Sequence, residues 1–198
     1  DILVDVAGDI SGEQGVSIAN DGTGKITATF GGDLTATEGR AVDIVASGGA
    51  VDLTFDGEVS STGDHAIAVT GDGDVTITTK NIVRADLDGD DNGGAAIVVG
   101  MTTGSITLST AAAVYAAGES SSELGAITLF TGEGDIDATI GADVTAENMA
   151  GSVVLLTQAG DIDFNQTAGT ISGSGVGALL FAGDGGVTAT FDGDVNAA

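Results

Sequence analysis

Short bursts of alternating apolar and polar residues recur along this chain. In the last of them Val187, Ala189 and Phe191 alternate with Thr188 and Thr190, the two-residue period of a strand that turns one face to a core. The burst belongs to a nine-residue phrase written eight times, from Ile2, Ile26, Val51, Val75, Ile106, Ile136, Ile162 and Val187, with successive starts 24, 25, 24, 31, 30, 26 and 25 residues apart. A period of about 25 residues is that of a stacked-repeat architecture.

Each phrase ends in a Gly- or Ala-containing corner and a short second strand, as in Asp33-Leu34-Thr35-Ala36 and Asp143-Val144-Thr145-Ala146. A third follows after a variable loop, as in AVDIVA from Ala41, AIAV from Ala66, AIVV from Ala96, AITLF from Ala126, VVLL from Val153 and ALLF from Ala178. The pattern predicts an all-β fold, a single-stranded parallel β-helix (a solenoid) of about eight coils with three short strands each. Right-handed winding is expected from the general preference of parallel crossovers. Superposing the phrases gives inward columns of like residues, one of them Val6, Phe30, Phe55, Thr79, Thr110, Ile140, Gln166 and Phe191, as in-register stacking requires. The two long repeats expand at one corner, over 84–94 and 115–125, leaving the stack intact. Residues 1–198 read as one domain, a rod of roughly 34 Å at ~4.8 Å per coil.

Composition narrows this further. Thirty-four glycines and no proline suit strands joined by tight turns, and no cysteine is present for disulfide or thiolate chemistry. Thirty acidic residues face four basic ones (Lys25, Arg40, Lys80, Arg84), for a net charge of −26. Such a surface repels nucleic acid and anionic membranes and invites cations or a basic partner. No apolar run approaches the roughly 18 residues of a membrane helix. The start at Asp1 without Met and the uncapped terminal repeats suggest a segment of a longer solenoid, or end-to-end stacking through open strand edges.

The acids also supply the candidate chemistry. Asp135 and Asp137, then Asp161 and Asp163 in the next GDID, are expected outward and one above another. Such a patch would favour a Ca2+ ion, because unit charges ~4.8 Å apart repel by about 0.9 kcal/mol even in water. In the first insertion Asp86, Asp88, Asp90 and Asn92 offer oxygens at alternate positions, as an EF-hand loop begins. Asp91 stands where that loop turns on Gly and Ile97 where its bidentate Glu belongs, so the loop reads as an acidic turn, with partial calcium coordination as the alternative. Catalytic inventory is thin: one histidine (His65), one tyrosine (Tyr115), two arginines and no tryptophan. Asp64-His65, with Arg40 one coil away, reads as a turn and not as catalytic machinery, so no enzyme is expected. Leu129-Phe130, Val153 to Leu156 and Leu179 to Phe181 read as apolar on both faces, for packing within the protein or for a lateral contact.

The refrain GDHAIAVTGDG from Gly63, GSITLS from Gly104, LGAITLFTGEGDI from Leu124 and GTISGSGVGALLFAGDGGV from Gly169 resembles the passenger region of bacterial autotransporter adhesins and related haemagglutinin-type surface proteins. The resemblance implies a secreted, extracellular protein at the cell surface that projects, attaches or self-associates, with a cell-surface or matrix polysaccharide or further copies of itself as partners. Two other readings stay open. One is the repeating subunit of a fibre stacked end to end; the other is a polysaccharide-active β-helix enzyme.

Overall fold

The structure, a computed structural model, describes residues 1–85, 94–117 and 125–197. It is an all-β solenoid of three parallel sheets. The eight phrases form the first sheet, from Ile2–Val6 through Ile26–Phe30, Val51–Phe55, Val75–Thr79, Ile106–Thr110, Ile136–Ile140 and Ile162–Gln166 to Val187–Phe191, in that spatial order. The second sheet runs from Ile10–Gly12 to Asp194–Ala197, also with eight strands among the described residues, and the third from Val16–Asn20 to Val176–Ala182 with seven. Every strand pairs with its counterpart one coil away, in parallel and without slippage: Ile2 with Ile26, Ile26 with Val51, Val51 with Val75.

Three features differ from expectation. Val16–Asn20 is a third strand whose short, half-exposed VSIAN has little apolar signal. Third strands are also longer than foreseen, reaching nine residues in Gly125–Glu133 and Gly151–Ala159, because they run straight to the glycine that turns into the next coil. The insertions begin later than their composition suggested: Arg84 and Ala85, like Tyr115 and Ala116, remain in second-sheet strands.

Inward side chains form one apolar cluster, with Ile26, Leu53, Ile77, Ile97, Ile106 and Phe164 fully buried. Phe30 and Phe55 stack face to face at 5.4 Å, 7° from parallel, because identical residues at identical register are superposed. Phe191, in a last coil exposed throughout, is 43% exposed on one side while its ring meets Phe164 at 5.3 Å. The same column carries Thr79 and Thr110 fully inside, and neither hydroxyl has a hydrogen-bond partner.

Corners explain the glycine-aspartate refrain. Gly73, Gly104, Gly134 and Gly160 all have positive φ, and at Gly134 (φ 131°) a Cβ would collide with the carbonyl of Gly104 below. Thr131 and Thr157, buried in the third strands, donate their hydroxyls to the carbonyls of Gly104 and Gly134 at 2.9 and 3.0 Å.

The two orphaned hydroxyls are a correctable cost. Thr79→Val and Thr110→Val are expected to raise stability by about 1 kcal/mol each, since the lost group has no bond to forfeit; urea unfolding midpoints at constant slope check this, and a lower midpoint would show that the hydroxyls are satisfied.

Candidate functional site

Outward positions are where a solenoid meets its partners, and here each sheet presents a different chemistry. On the first sheet the outward columns are hydroxyl-rich, with Thr29, Thr54, Thr78 and Ser109 in successive coils at paired register. Asp137 and Asp163 stand in the adjoining column, paired to each other and exposed.

Asp135 and Asp161 have a specific task. The N–H of Asp161 donates to Asp135 Oδ1 at 2.8 Å, and the N–H of Gly186 to Asp161 Oδ1 at 2.7 Å. Asp74 receives Ser105 N–H in the same column (2.9 Å), and Asp1 receives Lys25 N–H (2.8 Å). A parallel column before the second strands repeats this, with Asp9, Asp33 and Asp143 accepting from Asp33, Glu58 and Thr170. Each of these carboxylates bonds a backbone N–H of the next coil. The four acids of the two GDID motifs are therefore stacked as expected, but in two separate columns. No group of three or more His, Cys, Asp or Glu that could hold a metal ion occurs among the described residues. Asp86, Asp88, Asp90 and Asn92 lie outside the described residues.

At the corner before the third sheet, Arg40 joins Asp43 (Nη1 to Oδ1, 2.6 Å) and Asp64 of the next coil (Nε to Oδ2, 3.5 Å) beside a groove of about 240 Å³. His65 is 9% exposed, and its Nδ1 accepts the N–H of Ala95 one coil on at 2.8 Å, which places the ring proton on Nε2, 3.8 Å from Asp64. This histidine links two coils. The other cations act similarly: Lys25 reaches Asp52 (3.2 Å), Lys80 reaches Asp56 (2.7 Å) and Arg84 reaches Glu58 (3.6 Å), each across one coil.

Two faces differ from the acidic remainder of the surface. On the third sheet, outward positions Val98, Phe130, Val154, Leu156, Leu179 and Phe181 fall in two adjoining columns across four coils, and Glu133, exposed at the end of Gly125–Glu133, is the one charged residue in those strands. Val154 is buried, Phe130 and Leu156 are half-buried, and Phe181 is 58% exposed. The doubly apolar strands thus divide between internal packing and an open face. A groove of about 590 Å³ opens where Gly100 leaves a gap between Thr70 and Phe130.

On the second sheet, register sets Arg84 directly beside Tyr115 and Tyr115 beside Thr145. They border a groove of about 360 Å³ with Ile82 and Ala113 in its lining and Asp143 at its edge. Sequence reasoning treated Arg84 and Tyr115 as the starts of two separate insertions. The signal for their contact was present, since both follow the first apolar residue of the second strand in successive coils. The Tyr115 hydroxyl is pushed above its ordinary value of 10.0, first by burial, then by repulsion from the Glu147 carboxylate and by the hydrogen bond that carboxylate accepts.

Among the described residues no helix is long and apolar enough to cross a membrane. Two outcomes follow from this geometry. Asp135→Ala should cost roughly 0.5–1 kcal/mol by freeing the Asp161 N–H, while Asp135→Asn, which keeps an acceptor oxygen, should cost less; equal losses in chemical denaturation would contradict the bridging role. Because the raised Tyr115 pKa holds the proton more tightly in the folded state, its contribution to stability is complete below pH 10 and lost as pH climbs through the folded value. A 295-nm absorbance titration, clean because Tyr115 is the only tyrosine and tryptophan is absent, should give a midpoint above 10.0, and Glu147→Gln should lower it. Compared with known proteins, the chain matches no family model, no curated protein and no solved structure.

Proposed function

We propose that this chain is a stiff scaffold stretch of an extracellular, cell-surface protein of adhesive type, which projects outward and associates side by side with copies of itself through the third sheet. The observation that carries the reading is the apolar face from Val98 to Phe181, with Glu133 at its margin as the one exposed charge, on a chain of net charge −26. Two such polyanions approaching elsewhere set carboxylate against carboxylate, whereas this face lets them meet with far less of that repulsion and removes Phe181 and Leu179 from water. A second copy presenting the same patch gives a closed, self-complementary pair.

Other features agree with the reading. Continuous backbone ladders make the rod resistant to bending, and inward apolar columns fill its core. Supports for the exported, surface location are the repeated refrain, which resembles adhesive passenger segments, and the acidic coat, which keeps a rod soluble outside the paired face.

The test is native mass by light scattering across protein and salt concentrations. A dimer that strengthens as NaCl rises is expected, since salt screens the carboxylates and leaves the apolar contact, and Leu156→Asp or Phe181→Glu should return it to monomer. A monomeric wild-type protein at every salt and protein concentration would remove the lateral contact, and association that weakens with salt would point to charge bridging instead.

A further inference from the structure

We infer that the groove between Arg84 and Tyr115 on the second sheet binds a neutral polysaccharide laid along the rod axis. This deepens the adhesive reading by naming a ligand class and a site, and it uses a different face from the self-association surface.

The chain has one tyrosine and two arginines in 198 residues, and the coil register brings that tyrosine into contact range of one of those arginines. A sugar ring has apolar C–H faces and a rim of hydroxyls. It therefore asks for an aromatic surface flanked by fixed donors and acceptors, the combination of apolar lining and few polar groups that marks small-ligand sites. Tyr115 supplies the aromatic face, Ile82 and Ala113 an apolar lining, and Arg84, Asp143 and Thr145 the donors and acceptors. The groove, about 360 Å³, lies at the lower end of the roughly 300–1,000 Å³ of ligand pockets.

The polar groups are held in place by neighbouring coils. Arg84 is anchored through Nε to Glu58, a contact that does not use its terminal nitrogens. Asp143 gives Oδ1 to the Thr170 N–H at 2.8 Å, a bond that does not use Oδ2. Glu147 lies close enough to Tyr115 for its carboxylate to raise the hydroxyl's pKa. Anchoring of this kind lowers the ordering cost of binding.

Charge and direction choose the polymer. Glu58 pairs with the guanidinium, Asp143 lines the groove and Glu147 lies beside Tyr115, so an anionic glycan meets net repulsion here and from the whole −26 chain. Along the axis the same outward column continues on one side as Thr145 and Ser172, 3.4 Å apart at their hydroxyls, while Ser60 on the other side is buried with its hydroxyl turned to Leu34 O and Thr35 Oγ1. A polymer running from Tyr115 toward Ser172 finds hydroxyl partners in successive coils, as a compact ligand does not.

Tyr115 is its own reporter, because the absence of tryptophan leaves it as the source of the tyrosine-region emission. Titration with cellohexaose, laminarihexaose and mannohexaose should change that emission saturably for at least one of them, while polygalacturonate and polylysine should not compete. Calorimetry on the same sugar should show Tyr115→Ala weakening binding by roughly tenfold or more and Tyr115→Phe by much less, with Arg84→Gln also weaker. Circular dichroism should report every variant folded, and Thr54→Ala on the first sheet should bind as the wild type does. Unchanged emission with all three sugars, full binding by Tyr115→Ala, or displacement by polylysine would overturn the assignment, the last by showing a basic-peptide site. Light scattering separates the two readings. If the sugars fail while Phe181-dependent association persists, the glycan site falls and the scaffold stands; if association fails while Tyr115-dependent binding persists, the reverse holds.

Discussion

Everything in this molecule depends on the vertical fit of one coil's backbone onto the next. Parallel ladders at fixed register superpose residue on residue, so a choice made at one position is inherited by the whole column. The corners are where this fit is most demanding. Stacked glycines at positive φ leave no room for a Cβ, and the aspartates that follow them reach upward to take the next coil's N–H. A glycine-aspartate pair is thus a hinge and a clasp in two adjacent residues. The buried threonines of the third strands complete the corner from inside by donating to the glycine carbonyls.

Inheritance of position has costs as well as gains. It stacks Phe30 on Phe55, which adds aromatic contact to area burial. The same rule places like charges one coil apart, as with Asp137 and Asp163, where repulsion at ~4.8 Å is about 0.9 kcal/mol even in water. The chain moderates this by spending all four basic side chains across coil boundaries and by using several carboxylates as acceptors for backbone N–H groups. Exposed ion pairs contribute little individually; here their effect is to offset the repulsion that register creates.

Because inward columns hold the fold, outward columns are free to carry different surfaces. The first sheet shows hydroxyls and carboxylates, the second an arginine-tyrosine step within a hydroxyl column, and the third an apolar strip bordered by the single charge of Glu133. An acidic rod with an apolar strip on one face can stay soluble along most of its girth and still make specific contacts. Separation of faces also means that the proposed glycan contact and the proposed self-association would not compete for one surface.

The periodicity of the phrase determined the three-sheet solenoid, the inward columns and the outward stacking of Asp137 on Asp163, because a strand period of two and a coil period of about 25 leave few ways to bury the apolar set. The role of Asp135 and Asp161 was hidden, since a carboxylate bound to a cation and one bound to a neighbouring N–H have the same sequence. Val16–Asn20 was hidden too, because in a half-exposed coil its strand identity comes from pairing with Val42–Ser47 and not from its own hydrophobicity. Only the tertiary structure decided which doubly apolar strands are covered, burying Val154 and leaving Phe181 open, and only it joined Arg84 to Tyr115. Lateral neighbours across a coil lie some thirty residues apart in the chain, and no local pattern records what insertion and register together bring side by side.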